Sequence, residues 1–358
     1  MEERARLLAS LFREPTRSPM WTRSGVFVFP PQALWKRLGS GFIRRAWDRA
    51  VRAKGPDPAG LYVNIPPKTR ASALLESLRV LDLPKSPAFR TLYVGSGGSG
   101  ELSRFSADEI EGFYGWLMGR FRWGRLRQST VEADPSALDA EKVRVLVRHR
   151  VDRLTCFLSK DRKSFARGIR LCRRLGLKNI NVDVSARTDL DARFLEKLDV
   201  DNSMLWERAG ESAGKDTRKP GTERKGLLNN LQLVHAFQYN ASILGLGPGA
   251  VSHVRGGCVY SDGMGARLTL QDEKRAHIIR SLEDVGHLDR GIYRRAFREE
   301  PEDTFPREFA GLVLEGRLVE TGEGFEARGD RNLSAVRLYG GELLRALLKA
   351  SNAEPDML

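Results

Sequence analysis

The chain has 358 residues, of which 41% are hydrophobic, and a formal net charge of +14. A chain of this size can bury one large core, or one large core with a smaller domain. Its three cysteines, Cys156, Cys172 and Cys258, exclude a disulfide framework and favour a reducing, cytoplasmic location. We expect no signal peptide, and no apolar run reaches the roughly 18 residues that a membrane span requires.

The positive charge is spread over the whole length and includes many arginines, which prefer planar anions such as carboxylate and phosphate. The sequence shows no aromatic-basic nucleic-acid motif, no zinc finger and no recognition-helix pattern. We therefore predict a solvated basic surface rather than sequence-specific nucleic-acid binding.

Residues 1–58 are predicted to form a basic N-terminal extension. Apolar residues recur there at helical spacing beside lysines and arginines, which predicts an amphipathic helix. Its apolar side is formed by Leu34, Trp35, Leu38, Phe42, Ile43 and Trp47. Such a helix can lie on a membrane or hold a partner, but docking on the protein's own core is the interpretation that we favour.

From residue 59 the pattern changes to short β-rich runs separated by longer helical stretches. Strands that alternate with helices predict parallel βαβ units, whose binding site lies at the carboxyl ends of the strands. The predicted strands are 61–65, 91–95, 129–133, 153–158, 180–184 and 203–207.

After about residue 265 the pattern becomes helical and includes one small β-hairpin. It predicts a mainly helical, winged-helix-like domain over 266–358. The polar segment 207–226, rich in glycine and charge, is predicted to be a surface loop.

Four sequence blocks follow one another in an order and spacing typical of one known family. They are Leu-Tyr-Val-Asn-Ile-Pro at 61–66, Thr-Leu-Tyr-Val-Gly with a glycine-rich turn at 91–100, three runs between 131 and 183, and Leu-Gly-Leu-Gly-Pro-Gly-Ala at 244–250. In these blocks the chain resembles the oxygen-independent coproporphyrinogen III oxidases and their haem-chaperone relatives, which are radical S-adenosylmethionine (SAM) proteins. The resemblance implies an α/β fold in which residues 59–265 form a partial (β/α)6 TIM-like barrel of radical SAM type.

The family's cluster-binding segment is replaced in this sequence. In the family, the first barrel strand leads into a Cys-x3-Cys-x2-Cys loop, whose thiolates hold a 4Fe-4S cluster. The spacing places Lys68, Ser72 and Leu75 at the cysteine positions. An ammonium, a hydroxyl and an isobutyl group do not form a set of soft ligands for iron. We therefore predict that the chain holds no 4Fe-4S cluster and performs no radical chemistry.

Part of the family's SAM-binding set is retained, as a glycine-rich turn and two strand-end carboxylates. The corresponding residues are Gly95, Ser96, Gly97, Gly98, Ser99, Glu132 and Asp183. The turn either lets backbone N–H groups approach an anion or serves only a tight geometry. The carboxylates either hold an amine, a ribose or a metal, or pair with Lys68 or Arg187.

Other positions of the family's site differ. Ser159 takes the place of a glutamine that contacts SAM, and the arginine for the SAM carboxylate falls in a gap. Lys68 is predicted either to act as a base or nucleophile in a dry barrel mouth, or to be exposed or paired with Glu132; we favour the second interpretation. SAM stays an open candidate ligand.

The haem site of the chaperone relatives is also altered. Their His-Asn-x-x-Tyr-Trp run reads Leu-Val-His-Ala-Phe-Gln at 233–238 in this chain. His235, Tyr239 and His253 stay as candidate axial ligands for a haem. Two histidines are too few for a convincing site of another metal, so we predict none.

Three functions are compatible with these features. The first, which we favour, is a non-catalytic binding or partner protein that keeps the barrel and a small-molecule cleft and works beside an active enzyme. The second is an enzyme that uses SAM or another small molecule by polar chemistry, with Lys68, Glu132 and Asp183 as acid, base or clamp. The third is a haem- or porphyrin-binding protein in which arginines meet propionates.

Overall fold

The computed structural model describes residues 29–52, 59–79, 87–95, 100–184, 189–198, 200–205, 230–238, 240–282 and 286–328. Helices and strands alternate through the first part of this range, as predicted. The strands are β1 (Lys36–Arg37), β2 (Ala59–Asn64), β3 (Phe89–Gly95), β4 (Trp123–Glu132), β5 (Arg153–Phe157), β6 (Asn179–Val184), β7 (Asn202–Leu205), β8 (Ile243–Leu246), β9 (Ser252–Val254), β10 (Cys258–Ser261), β11 (Met264–Arg267), β12 (His287–Asp289), β13 (Leu318–Glu320) and β14 (Gly324–Ala327).

The helices alternate with the strands and continue into the C-terminal part. They are α1 (Ser40–Arg52), α2 (Ala71–Arg79), α3 (Ala107–Arg120), α4 (Ala140–Arg148), α5 (Arg162–Arg174), α6 (Asp189–Glu196), α7 (Leu231–Gln238), α8 (Leu270–Arg280), α9 (Arg290–Phe297), α10 (Pro301–Thr304) and α11 (Pro306–Leu314). Within the described ranges, none of these helices is long and apolar enough to span a membrane.

The larger sheet has the strand order β1-β11-β10-β9-β8-β2-β3-β4-β5-β6-β7. Strands β2 to β7 are the six predicted strands, and they pair in parallel in chain order. The predicted α/β fold is therefore confirmed. The prediction missed β8, which pairs in parallel with β2, and the antiparallel strands beyond it. These pairings join segments far apart in sequence, so local periodicity does not reveal them.

Residue alternation along the parallel strands separates two environments. One side carries apolar residues such as Val63, Val94 and Val182, which join the main core with the inner faces of the covering helices. The other side carries polar residues, among which Thr155 and Asp183 are buried and Tyr93 is half-buried. Because successive strand residues point to opposite faces, this pattern leaves a polar interior behind an apolar outer layer.

Helix starts in the outer layer are set by local capping. At α3, the Glu109 N–H donates to Ser106 Oγ at 3.2 Å and the Ser106 N–H donates to Glu109 Oε2 at 2.8 Å, a reciprocal capping box. Asp139 and Asp161 cap α4 and α5 in the same region by accepting single backbone hydrogen bonds. These caps fix where each helix leaves its strand-end loop.

The N-terminal helix differs from the prediction in its bounds. The helix begins at Ser40. Before it, Leu34 ends a short 3-10 turn, and Trp35 and Leu38 flank the edge strand β1. The helix packs on the protein's own core, which is the interpretation that we favoured. Trp47 is fully buried in the main core, and its Nε1 donates to Tyr260 Oη at 2.9 Å. The apolar face of α1 is therefore occupied by the protein itself.

The segment boundaries at 58/59 and 265/266 stay predictions, and the sheet crosses both of them. β1 of the extension pairs with β11, with Lys36 opposite Gly265 and Arg37 opposite Met264. β11 itself ends at Arg267. The extension thus contributes an edge strand to the sheet and a helix that packs on the main core.

The C-terminal part has a winged-helix-like arrangement, as predicted. Helix α8 precedes β12, helices α9 to α11 follow, and β13 and β14 form the predicted hairpin within a three-stranded sheet of order β12-β14-β13. Its core contains Tyr293, Phe309, Leu312 and Phe325, with the Phe309 and Phe325 rings 4.9 Å apart. The helical segment predicted after residue 328 lies outside the described residues.

His277 makes the stability of this part sensitive to acid. It is buried between Tyr293 and Phe297, and burial lowers its pKa to about 3. Below the unfolded-state pKa of about 6.5, only the unfolded chain takes up this proton, so stability falls as the pH falls. When the pH is lowered from 7 to 5, we expect the unfolding free energy of the wild type to fall by about 2 kcal/mol more than that of His277→Phe. Urea unfolding at both pH values measures this, and equal losses would contradict it.

Candidate functional site

Polar side chains meet inside the sheet near the carboxyl ends of β3 to β6. The strand register aligns the ends: Asn64 lies opposite Gly95, Glu132 opposite Thr155, and Phe157 opposite Asp183. Glu132 and Asp183 are both buried. The two residues therefore lie near the ends of strands on either side of β5. That they bind one ligand stays a prediction.

Glu132 is held in place by β3. Tyr93 Oη donates to Glu132 Oε1 at 2.5 Å. A Cβ atom at Gly95 would lie 2.5 Å from Glu132 Cδ and 2.7 Å from its Cγ, so only glycine accommodates this carboxylate. Burial raises the pKa of Tyr93 well above its usual value, and the Glu132 charge raises it further. Tyr93 is therefore a hydrogen-bond donor to Glu132 at any physiological pH.

Arg153 places a cation in the same interior. It is 2% exposed, and its Nη1 donates to Thr155 Oγ1 at 2.6 Å. Burial lowers its pKa, while Tyr93, Asp183 and Glu132 act in the opposite direction. Arginine keeps its charge even when its pKa is lowered. One buried guanidinium therefore stands near two buried carboxylates.

Asp183 is positioned within its own strand. Asn181 lies two residues earlier on β6, and its Nδ2 donates to Asp183 Oδ1 at 2.7 Å. The buried Asn181 Oδ1 and Arg153 Nε accept or donate no hydrogen bond among the described residues. Both unsatisfied atoms lie in the polar interior, which therefore retains hydrogen-bonding capacity. We call Tyr93, Glu132, Arg153, Asn181 and Asp183 the interior polar cluster.

The sequence analysis missed Tyr93 and Arg153. The sequence held a signal for both. Tyr93 lies two residues before Gly95, and Arg153 lies two residues before Thr155. A spacing of two places residues on the same face of a strand. Polar residues at that spacing in strands buried on both sides indicate an interior polar site.

A small cleft opens beside this cluster, between the ends of β4 and β5. Its cavity volume is about 20 Å³, and it is lined by Gly100, Glu132, Ala133, Asp134, Thr155, Cys156 and Phe157. This volume is enough for about one water molecule, so the described part of the cleft holds only a water-sized group. Ser96, Gly97, Gly98 and Ser99, which are predicted to bind a cofactor, lie outside the described residues, as does Arg187.

Lys68 does not join this cluster. It is exposed in a turn with a positive φ of 64°, and its backbone N–H donates to Glu101 Oε2 at 3.0 Å. Exposure to solvent is one form of the interpretation that we favour for Lys68, and the turn after β2 accounts for it by directing the chain outward. A role of Lys68 as a base or nucleophile stays a prediction.

The two histidines predicted as haem ligands lie away from the cleft. His235 is on α7, which packs on β2, β3 and β4, and Arg127 and Arg90 lie near its ring. His253 is on β9, where its Nδ1 is 3.1 Å from the Ala241 carbonyl oxygen and its Nε2 is 3.8 Å from Glu273 Oε1. Burial lowers the pKa of both rings to about 4. Tyr239 lies outside the described residues.

The donor atoms do not fit a 4Fe-4S cluster. At the positions of the family's cysteines, Lys68 and Ser72 are exposed and Leu75 is half-buried on α2. The chain's three thiols cannot replace them: Cys156 is on β5, Cys172 on α5, and Cys258 on β10, six strand positions from β5 in the sheet. Burial raises the pKa of Cys172 and of Cys258 to about 12, which disfavours the thiolates that iron requires. The described residues also contain no cluster of three or more histidine, cysteine, aspartate or glutamate side chains that could hold a metal ion.

Comparisons with known proteins give a match in structure and none in sequence. No protein-family model matches the chain, and no curated protein matches its sequence. In structure, the chain is similar to coproporphyrinogen III oxidase of Escherichia coli, which is described as a radical SAM enzyme. The match covers 86% of this chain and 94% of that chain, with a TM-score of 0.62 and 15% sequence identity.

This match extends beyond the parallel strands, since it includes most of both chains. It confirms, at the level of the fold, the resemblance found in the four sequence blocks. The interior polar cluster occupies the strand-end region where such folds place their sites. The chain therefore has the fold of the radical SAM coproporphyrinogen III oxidases.

Proposed function

We propose that this protein is a radical SAM-fold member that binds no 4Fe-4S cluster and acts as a non-catalytic binding or partner protein. One observation carries the proposal. The three cluster positions hold two exposed polar residues, Lys68 and Ser72, and a leucine, while every thiol of the chain is buried elsewhere. A cluster site needs three convergent thiolates, and this chain offers none.

The residues that line the cleft support a small polar ligand. They include Glu132, Asp134 and Thr155. Carboxylates favour ligand groups that are positively charged or donate hydrogen bonds, such as an amine or the hydroxyls of a ribose. SAM carries both kinds of group, so its non-reactive binding is the specific form of the proposal. Haem is disfavoured because His235 and His253 lie on other elements, away from the cleft.

The cluster part of this proposal is tested by anaerobic reconstitution with iron and sulfide, followed by metal and sulfide analysis. We expect no stoichiometric uptake by the wild type. The matched variant is the triple substitution Lys68→Cys, Ser72→Cys and Leu75→Cys, which restores the family's spacing. Stoichiometric iron and sulfide in the wild type would overturn the proposal, whereas uptake by the variant alone would show that the missing thiolates account for the loss.

Ligand binding is tested by thermal unfolding with SAM, S-adenosylhomocysteine or haem. A ligand at 100 times its dissociation constant adds about 2.7 kcal/mol to the stability of the folded state. We expect SAM or S-adenosylhomocysteine to raise the melting temperature of the wild type but not of Glu132→Gln. A shift by haem alone would contradict this expectation. No shift with any ligand would leave protein contacts as the function.

A further inference from the structure

Helix α5 carries a stripe of four cations along its outer face. They are Lys163, Arg167, Arg170 and Arg174, and all four are exposed. Their spacing of four, three and four residues keeps them within about 60° of the helix circumference and over about 16 Å of its length. We call these four residues the α5 stripe.

The α5 stripe is not neutralised by its surroundings. No member forms an ion pair within 4 Å with a carboxylate of the described residues, whereas the neighbouring Arg173 pairs with Asp201. Arg167 Nη2 donates to Ser164 Oγ at 3.0 Å, and the charge of Arg167 acts on the helix cap Asp161. The helix contains no acidic residue. Four like charges at neighbouring helix positions repel one another, so the stripe costs stability unless an anion is bound.

The adjacent helix extends the same surface. α4 packs beside α5 and exposes Arg144 and Arg148, and Arg150 follows in the turn after α4. Arg148 pairs with Glu111, while Arg144 and Arg150 have no ion pair with a described acid. The inner faces of both helices are buried in the core. The helices expose one acid, Glu141 of α4, beside these cations, so the outer face has a positive net charge.

The chemistry of this face favours one class of partner. The exposed large hydrophobic residues among those described, Met264, Leu270, Val313 and Leu314, are all on other elements. Protein interfaces have cores that are rich in aromatic residues and poor in charge, and membrane-bound helices insert an apolar face. Protein surfaces that bind nucleic acids are instead strongly positive and contact mainly phosphates. Single strands are usually bound by stacking on exposed aromatic rings, which this face lacks.

We propose that the α4–α5 face binds the phosphate backbone of double-stranded nucleic acid without sequence preference. The Cβ atoms of neighbouring residues in the α5 stripe are about 5 to 6 Å apart. Their long side chains can therefore each reach a different phosphate along one strand. The proposal is independent of the cleft and of SAM. It is compatible with the expectation of no sequence-specific recognition, because phosphate contacts carry no sequence information.

The test is the salt dependence of binding to short labelled duplexes of DNA and of RNA, measured by fluorescence anisotropy on the full chain. The test variant is Lys163→Gln, Arg167→Gln, Arg170→Gln and Arg174→Gln. The matched control is Arg37→Gln, Arg45→Gln, Arg49→Gln and Arg52→Gln, which removes the same number of exposed charges from the opposite end of the sheet. Circular dichroism checks the fold, and Arg170→Gln with Arg174→Gln is the second variant if the fourfold one does not fold.

For the wild type we expect binding that weakens steeply with salt. Each lost phosphate contact reduces the slope of log affinity against log salt by about 0.9, so the test variant should lose about 3 to 4 from the slope and the control less than about 1. At about 50 mM salt the test variant should bind at least about 10-fold more weakly. Equal effects of the two variants, or no duplex binding at low salt, would overturn the proposal. So would preferential binding to anionic lipid vesicles or to an acidic polypeptide.

Discussion

Replacement of Arg153 by methionine should lower the free energy of unfolding by about 3 to 5 kcal/mol. Arg153 is 2% exposed, and its charge acts on Glu132, Asp183 and Tyr93. Methionine has a similar length but no charge. Without the guanidinium, both buried carboxylates lose the attraction of this cation, and removing one partner of a buried charge cluster is far more costly than losing a surface pair.

Urea unfolding at neutral pH measures this effect. The matched control is Arg150→Met, an exposed arginine three residues earlier in the chain, for which we expect a change within about 0.5 kcal/mol. Adding Glu132→Gln to Arg153→Met should recover part of the loss, because the substitution removes one of the negative charges on which Arg153 acts. A loss below about 1 kcal/mol for Arg153→Met would show that the carboxylates are compensated by other groups.

Replacement of Gly168 by alanine should destabilise the protein by about 3 kcal/mol. Gly168 lies on α5, where a Cβ atom would be 2.0 Å from the Pro135 carbonyl oxygen and 2.4 Å from its carbonyl carbon. Backbone atoms cannot move aside as the end of a flexible side chain can. The helix or the turn at Pro135–Ala137 must therefore shift, and this turn directly follows the cleft residues Glu132, Ala133 and Asp134.

Gly115→Ala is the control for this substitution. Gly115 is also within a helix, α3, but no heavy atom lies within 4 Å of the position of its Cβ. Since glycine inside a helix is less favourable than alanine, this variant should be more stable by about 0.5 to 1 kcal/mol. Thermal or urea unfolding of the two variants compares them. Equal stability changes would mean that α5 does not pack as closely on the turn as the structure has it.

Much of the architecture could be predicted from the sequence because its determinants are local. Strand and helix periodicity predicted β2 to β7 and the helices between the first five of them, and the pattern of the C-terminal segments predicted one small hairpin. The replacement of the cluster cysteines by Lys68, Ser72 and Leu75 was also readable, since it depends only on residue identity and spacing. Glu132 and Asp183 were predicted to share a site because the ends of parallel strands lie at one edge.

The tertiary structure decided which of these residues lie together. It paired β8 with β2, exposed Lys68 in a turn, and kept His235 and His253 away from the cleft. It also added Tyr93 and Arg153 to the site, and packed α4 beside α5. The sequence determined the elements and the chemistry available, because periodicity and residue type act over a few residues. The site depended on register and chain path, which arise from contacts between segments far apart in the chain.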